Sequence, residues 1–193
     1  MLSCIIRGDA TLRTPVSGQG TSEVRPMAVL DRDGVINVDH GYVCTPDRFE
    51  WVEGATKAIR GLNQSDYRVV IATNQSGIGR GLFSEREFVT LMEWVAEELG
   101  RRGARFDACI YCPHHPTDGV GAFRVVCSCR KPQPGMLLKA LEIFPTDVSR
   151  SFLIGDRESD IRAARSAGLR GLRFNGRPPI ATLVESAVAE CRI

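Results

Sequence analysis

From residue 27 onward the chain alternates between short apolar runs and stretches of helical periodicity. This alternation restricts the possible folds more than any other feature of the sequence. MAVL (27–30), YRVVIAT (67–73), FDACIYC (106–112), SFLIG (151–155) and RGLRF (170–174) read as strands. Between them GATKAIRGLNQ (54–64), SEREFVTLMEWVAEELG (84–100), PGMLLKALEIF (134–144) and ESDIRAARSAG (158–168) read as helices, with PIATLVESAVAECR (179–192) as a last one. The clearest is 84–100, where Ser84 and Glu87 can form a capping box and Phe88, Leu91, Met92, Val95 and Leu99 make one stripe. Strands separated by helices predict an α/β fold, a doubly wound parallel sheet covered on both faces. The chain's 193 residues suffice for one such core. Residues 1–26 are polar, without periodicity, and rich in Ser, Thr, Gly and Pro; they predict a disordered extension ahead of a single domain over 27–193. No insertion is long enough to form a large second domain.

Charge and hydropathy exclude several classes. The net charge of +2 offers no basic surface for nucleic acid or an acidic membrane. No apolar run approaches the ~20 residues that span a bilayer. The opening residues carry Arg7 and Asp9 too early for a signal peptide. The expectation is a cytoplasmic, monomeric protein with neither a nucleic-acid nor a membrane partner.

In an open parallel sheet, ligands bind beyond the carboxyl ends of the strands, so the residues just past each strand are informative. After MAVL comes Asp31-Arg32-Asp33-Gly34; after VVIA comes Thr73-Asn74-Gln75-Ser76-Gly77; after SFLIG comes Asp156, with Asp160 four residues on. Arg130-Lys131-Pro132 lies between the third strand and the next helix. Two acids have no packing use at the end of a buried strand. Carboxylates from separate loops make a hard oxygen site suited to Mg²⁺, and neighbouring Lys and Arg suit a phosphoryl group. One carboxylate of the Asp31/Asp33 pair can attack phosphorus, and the other can protonate the leaving oxygen and then activate water. Each group also has a plainer reading, Asp156 as the cap of the following helix among them. Four such groups in order, each at a strand end, favour the chemical one.

DRDGVIN, ATNQSG, CRKPQPG and GDRESDI resemble the four ordered motifs of the haloacid dehalogenase superfamily. Within it, DRDGVINVDHGYV, TNQSGIGRG, CPHHP and CSCRKPQPGM closely resemble the D-glycero-D-manno-heptose-1,7-bisphosphate 7-phosphatases, from about Met27 to Gly176. The resemblance implies a phosphatase acting on a small sugar bisphosphate in nucleotide-activated heptose biosynthesis. It implies Asp31 as nucleophile and Asp33 as general acid/base, with Thr73, Arg130 and Lys131 holding the phosphoryl group. Mg²⁺ would be held by Asp31, the backbone carbonyl of Asp33, and Asp156. Asp39, His40, Gly41 and Tyr42 would contact substrate, as would Thr73, Asn74, Gln75 and Ser76, with Arg157. Position 157 is Arg where the family commonly has Lys, which keeps the charge and alters the geometry. The C-terminus is shorter than the family's, implying that a terminal strand and helix are missing.

Seven cysteines without a secretory signal do not make a disulfide framework, yet four fall between Cys109 and Cys129. Cys112, Cys127 and Cys129 with an imidazole from His114 or His115 make a closed tetrahedral set for Zn²⁺. The resemblance places a structural zinc here and selects His114. A four-ligand site has no open position, so zinc is assigned the ordering of the loop that leads into Arg130 and Lys131. Histidinol-phosphate phosphatases, with a similar zinc loop, are the alternative enzyme; the long gap from His114 to Cys127 argues for the heptose group. A zinc-stabilised binding module is the non-enzyme alternative.

Overall fold

The computed structural model describes residues 5–7 and 23–191. Six strands form one sheet: β1 (Ile5–Arg7), β2 (Met27–Leu30), β3 (Arg68–Asn74), β4 (Ala108–Cys112), β5 (Phe152–Gly155) and β6 (Arg170–Arg173). Their spatial order is β1-β4-β3-β2-β5-β6. The five strands β2 to β6 are parallel, with Val29 opposite Val70 on one side and Leu153 on the other. The chain leaves β2 toward β3 and β4, then returns to place β5 on β2's other edge. The order therefore reverses at β2, and the crevice beyond its carboxyl end is the topological switch point where such sheets bind ligands.

Residues of β2 and β5 are all buried, as a parallel strand covered on both faces requires. Alternation sorts them: Ala28, Leu30, Val69 and Ile71 face one core, and Met27, Val29, Val70 and Ala72 the other. Helices α1 (Ala55–Gln64), α3 (Glu85–Arg101) and α6 (Ile180–Glu190) cover the first face, and α4 (Gly135–Ile143) and α5 (Glu158–Ser166) the second. A single helical turn, α2 (Ser76–Gly79), follows β3. The doubly wound parallel sheet is thus present, and no large cap interrupts it among the described residues.

The predicted stripe of α3 is buried from Phe88 to Leu99, and its capping box is formed: Glu87 N donates to Ser84 Oγ (3.2 Å) while Ser84 N donates to Glu87 Oε2 (2.7 Å). Ser84→Ala leaves the Glu87 backbone donor without its side-chain partner and should lower stability by about 1 kcal/mol in denaturant unfolding, with activity unchanged.

The disordered extension expected over 1–26 is corrected at two points. Within the stretch read as a disordered extension, Ile5–Arg7 pairs antiparallel with β4, Ile5 opposite Ile110, and covers that sheet edge. Residues 23–26 are tied in as well, since Pro26 O accepts from Arg68 N (2.9 Å) and Arg25 O from Asp147 N (3.0 Å). The remainder, 1–4 and 8–22, lies outside the described residues. At α5 the plainer reading of Asp156 as a helix cap does not apply: Arg157 is the N-cap, and Asp160 reaches back to accept from Arg157 N (2.9 Å). Among the described residues no helix is long and apolar enough to cross a membrane.

Candidate active site

Beyond the carboxyl ends of β2, β3 and β5 lies a cleft of about 480 Å³. The loop after β2 contributes Asp31 and Asp33; the end of β3 contributes Thr73, Asn74, Gln75 and Ser76. Arg130 and Lys131 enter from the segment before α4, and Arg157 from the start of α5. Asp39, Gly41 and Tyr42 form the rim. Of the residues expected to contact substrate, His40 is not at the cleft: its Nε2 lies 2.7 Å from Glu50 Oε2, on the exposed side of its loop.

Each functional group is held by a neighbour. Lys131 is buried, its ammonium 2.9 Å from Asp31 Oδ1, 2.6 Å from Asp160 Oδ1, and donating to Ala72 O at 2.8 Å. Asn74 clamps the Lys131 backbone by accepting from its N–H (3.0 Å) and donating to its carbonyl (3.1 Å). Gln75 Nε2 bridges Thr73 Oγ1 (2.9 Å) and Asp33 Oδ2 (3.0 Å). Asp33 also accepts from Arg32 and Asn37. At the rim, Arg48 donates to the carbonyls of His40 and Gly41, stabilising a turn in which Tyr42 takes a positive φ of 52°. Arg157 crosses the opening to Asp39 Oδ2 at 2.7 Å.

The two acids of the first loop have opposite electrostatics. Burial pushes Asp31 up to about 7, against the lowering effect of Lys131 and helped by the nearby Asp160. Burial would raise Asp33 too, but the Arg32 charge and hydrogen bonds from Arg32, Asn37 and Gln75 outweigh it and hold that carboxyl below its ordinary value. Lys131 is raised: burial opposes its charge, and Asp31 and Asp160 more than restore it. Asp156 is raised by burial and by the charge of Asp160.

Carboxylate oxygens of Asp31, Asp156 and Asp160 lie within 4.8 Å of one another. Three acids this close repel unless a cation joins them. Asp160 is engaged by Lys131 and the Arg157 N–H, but Asp156 Oδ1 is buried without a hydrogen-bond partner. A hard oxygen cluster with one orphaned oxygen suits Mg²⁺. Gly34 keeps this corner open: its φ is +84°, and a Cβ there would lie 2.5 Å from Asp156 Oδ2. Gly34→Ala should therefore cost about 1–3 kcal/mol in backbone strain alone and displace Asp156, which denaturant unfolding with and without Mg²⁺ would report.

The cysteine cluster is assembled as predicted. His114 Nδ1 lies 3.6 Å from Cys112 Sγ and 3.5 Å from Cys129 Sγ; Cys127 Sγ is 3.5 Å from Cys112 and 3.3 Å from Cys129. His115 points elsewhere, 3.2 Å from Arg80. The hydrogen bond between Cys129 and Cys112 lowers the Cys129 thiol and raises that of Cys112. The loop reaches the cleft directly, since Arg130 donates to His114 O at 3.1 Å.

Asp160 and Arg80 are among the cleft residues that lack a role in the sequence reading. Asp160 is visible there only as an acid four residues beyond Asp156, because its link to Lys131 depends on the fold. Arg80 lines the cleft beside Tyr42 and pairs with Asp118 at 2.8 Å; the glycines around it in GIGRGL carry no signal of that position.

A switch-point cleft holding an Asp-x-Asp loop, a buried lysine and a second acidic corner defines a hydrolase of the haloacid dehalogenase class. A HAD-hydrolase-like family model matches residues 128–173. A D-glycero-beta-D-manno-heptose-1,7-bisphosphate 7-phosphatase of Rhodopseudomonas palustris is 50% identical over 152 residues, 79% of this chain and 84% of the relative. The protein of the same name from Escherichia coli K12 is 47% identical over 155 residues, 79% and 81% of the two chains. A solved structure, D,D-heptose 1,7-bisphosphate phosphatase from B. bronchiseptica complexed with magnesium and phosphate, superposes with a TM-score of 0.76 at 33% identity, covering 86% of this chain and 99% of that one. The chain belongs to the D-glycero-D-manno-heptose-1,7-bisphosphate 7-phosphatase family of the haloacid dehalogenase superfamily.

Proposed function

We propose that the protein removes the 7-phosphate of D-glycero-D-manno-heptose 1,7-bisphosphate through an aspartyl-phosphate on Asp31. The observation that carries this reading is the division of labour in one turn of chain. Asp31 lies 2.9 Å from the buried Lys131 at the cleft floor, while Asp33 is held by neutral and cationic donors two residues away.

An Asp31 oxygen attacks phosphorus as the bond to the sugar oxygen breaks; Asp33, which its donors hold ionised in the free site, takes up a proton from solvent and gives it to that oxygen. Water then yields a proton to Asp33 and attacks the phosphoryl group, releasing Asp31 and inorganic phosphate. Thr73, Arg130 and Lys131 bind the phosphoryl oxygens and balance their charge. Asp31, the Asp33 carbonyl and Asp156 would hold Mg²⁺, which would supply further neutralisation of that charge. Cys112, His114, Cys127 and Cys129 would hold zinc, which would order the loop behind Arg130. Asp39, Gly41 and Tyr42 with Arg157 meet the sugar, and His40 supports their turn from outside.

Phosphate release with Mg²⁺ from both heptose bisphosphate anomers, fructose bisphosphate and histidinol phosphate tests the reading. The relatives' names specify the β anomer, so that anomer should be hydrolysed fastest. Preference for histidinol phosphate would transfer the chain to the alternative enzyme, and no turnover of any ester would leave only the binding module.

A further inference from the structure

Arg32 sits between the two aspartates and is fully buried. Its backbone N–H donates to Asp31 Oδ1 at 2.7 Å. Its side chain turns the other way and forks onto Asp33, with Nε 3.2 Å from Oδ2 and one terminal nitrogen 2.7 Å from Oδ1 and 2.9 Å from Oδ2. The same nitrogen donates to Val43 O at 2.9 Å. The guanidinium carbon lies 5.4 Å from the centre of the Phe88 ring, and the second terminal nitrogen is buried without a hydrogen-bond partner.

An arginine stripped of water is a costly way to fill a core, and an apolar side chain of similar volume avoids that cost. Packing therefore does not explain it. The geometry does: the planar fork fixes the direction of the Asp33 carboxylate as a lysine's single ammonium does not. Val43 directly follows Tyr42, which sits on the cleft rim, so the guanidinium also ties Asp33 to the loop that meets the sugar.

We propose that Arg32 is a positioning residue that aims Asp33 for proton transfer and keeps it in register with the 39–43 loop. This rests on the reading of Asp33 as general acid/base. It assigns Arg32 no contact with substrate.

The test compares heptose bisphosphate with 4-nitrophenyl phosphate, whose leaving group needs no proton. In Arg32→Met, kcat on the sugar bisphosphate should fall on the order of 100-fold, as misplacement of a reacting group by about 1 Å produces, while KM changes little. With 4-nitrophenyl phosphate, rapid mixing should still show a burst of one nitrophenolate per active site, because Asp31 and Lys131 are untouched; the later turnover should be slow, because water activation still needs Asp33. Arg32→Lys restores charge without the fork and should remain impaired on the sugar. Full activity in Arg32→Lys, or loss of the burst in a folded Arg32→Lys protein, would overturn the proposal. Asp33→Asn is the control for the underlying reading: if it shows no dependence on the leaving group, the acid–base role of Asp33 fails instead.

Discussion

Asp31→Asn should lose phosphate release by on the order of 10⁴-fold or more while the protein stays folded, as replacing a nucleophile does where the other groups act only through it. Asparagine is isosteric, so the hydrogen bond from Arg32 N and the approach of Lys131 have no steric reason to change. Its amide cannot act as an anionic nucleophile. Stability should move the other way. Burial pushes Asp31 up to about 7 in the absence of metal. A carboxyl whose folded value lies above its unfolded one costs stability once pH exceeds the unfolded value, because the folded state resists the ionisation that the unfolded state accepts. At neutral pH in metal-free buffer the variant lacks that penalty, and its thermal midpoint should equal or exceed that of the wild type. Addition of Mg²⁺ should raise the wild-type midpoint more than the variant's, since the ion binds the charged site. Near-normal turnover in Asp31→Asn would remove the aspartyl-phosphate route. A large fall in its midpoint would show that the Asp31–Lys131 pair holds the fold rather than the chemistry.

The residues legible in sequence are those whose signal is local. β2 and β5 are apolar throughout because both their faces are covered, and a strand without a polar face makes an acid at its end conspicuous; hence Asp31, Asp33 and Asp156. The α3 stripe and its capping box are fixed by spacing alone. The cysteine cluster is legible because thiol ligands are few and lie close together in the chain. What escapes is long-range. Asp160 sits one helical turn from Asp156, yet its meaning comes from Lys131, 2.6 Å away across the sheet end. Arg80 acquires its place from Asp118 and Tyr42, both remote in sequence. Residues 5–7 join the sheet through backbone pairing with β4, which composition does not report. Motif groups His40 with its neighbours, but a turn with two successive positive φ values, at Gly41 and Tyr42, sends it outward to Glu50.

Zinc removal should separate structure from chemistry. Cys112 ends a buried strand and Cys129 immediately precedes Arg130 and Lys131, so a metal joining them fixes the base of the intervening loop against the sheet. Among the loop's other ties are Val120 N donating to Gly79 O (2.7 Å) and Gly135 N to Ser128 O (2.9 Å). Neither constrains Arg130 itself, whose guanidinium is oriented by the His114 carbonyl, the backbone of a ligand residue. Three thiols and an imidazole within 4.8 Å of one another would bind Zn²⁺ only when the loop is folded, so binding energy would become folding energy. Cys127→Ser substitutes the half-exposed ligand and leaves the buried Cys112 and Cys129 in place. It should lower zinc content and the thermal midpoint, and reduce turnover on the order of 100-fold through displaced phosphoryl-binding groups. Far-ultraviolet circular dichroism should still report the sheet and its helices, because the loop gives the buried cores only Cys129, with Phe123 and Cys127 packed against them from outside. Added zinc should restore neither rate nor midpoint in the variant, whereas wild-type protein stripped by a chelator should recover both. Elemental analysis decides the ligand set. Full zinc and full activity in Cys127→Ser would exclude Cys127, and protein purified without chelator yet nearly free of zinc would overturn the site.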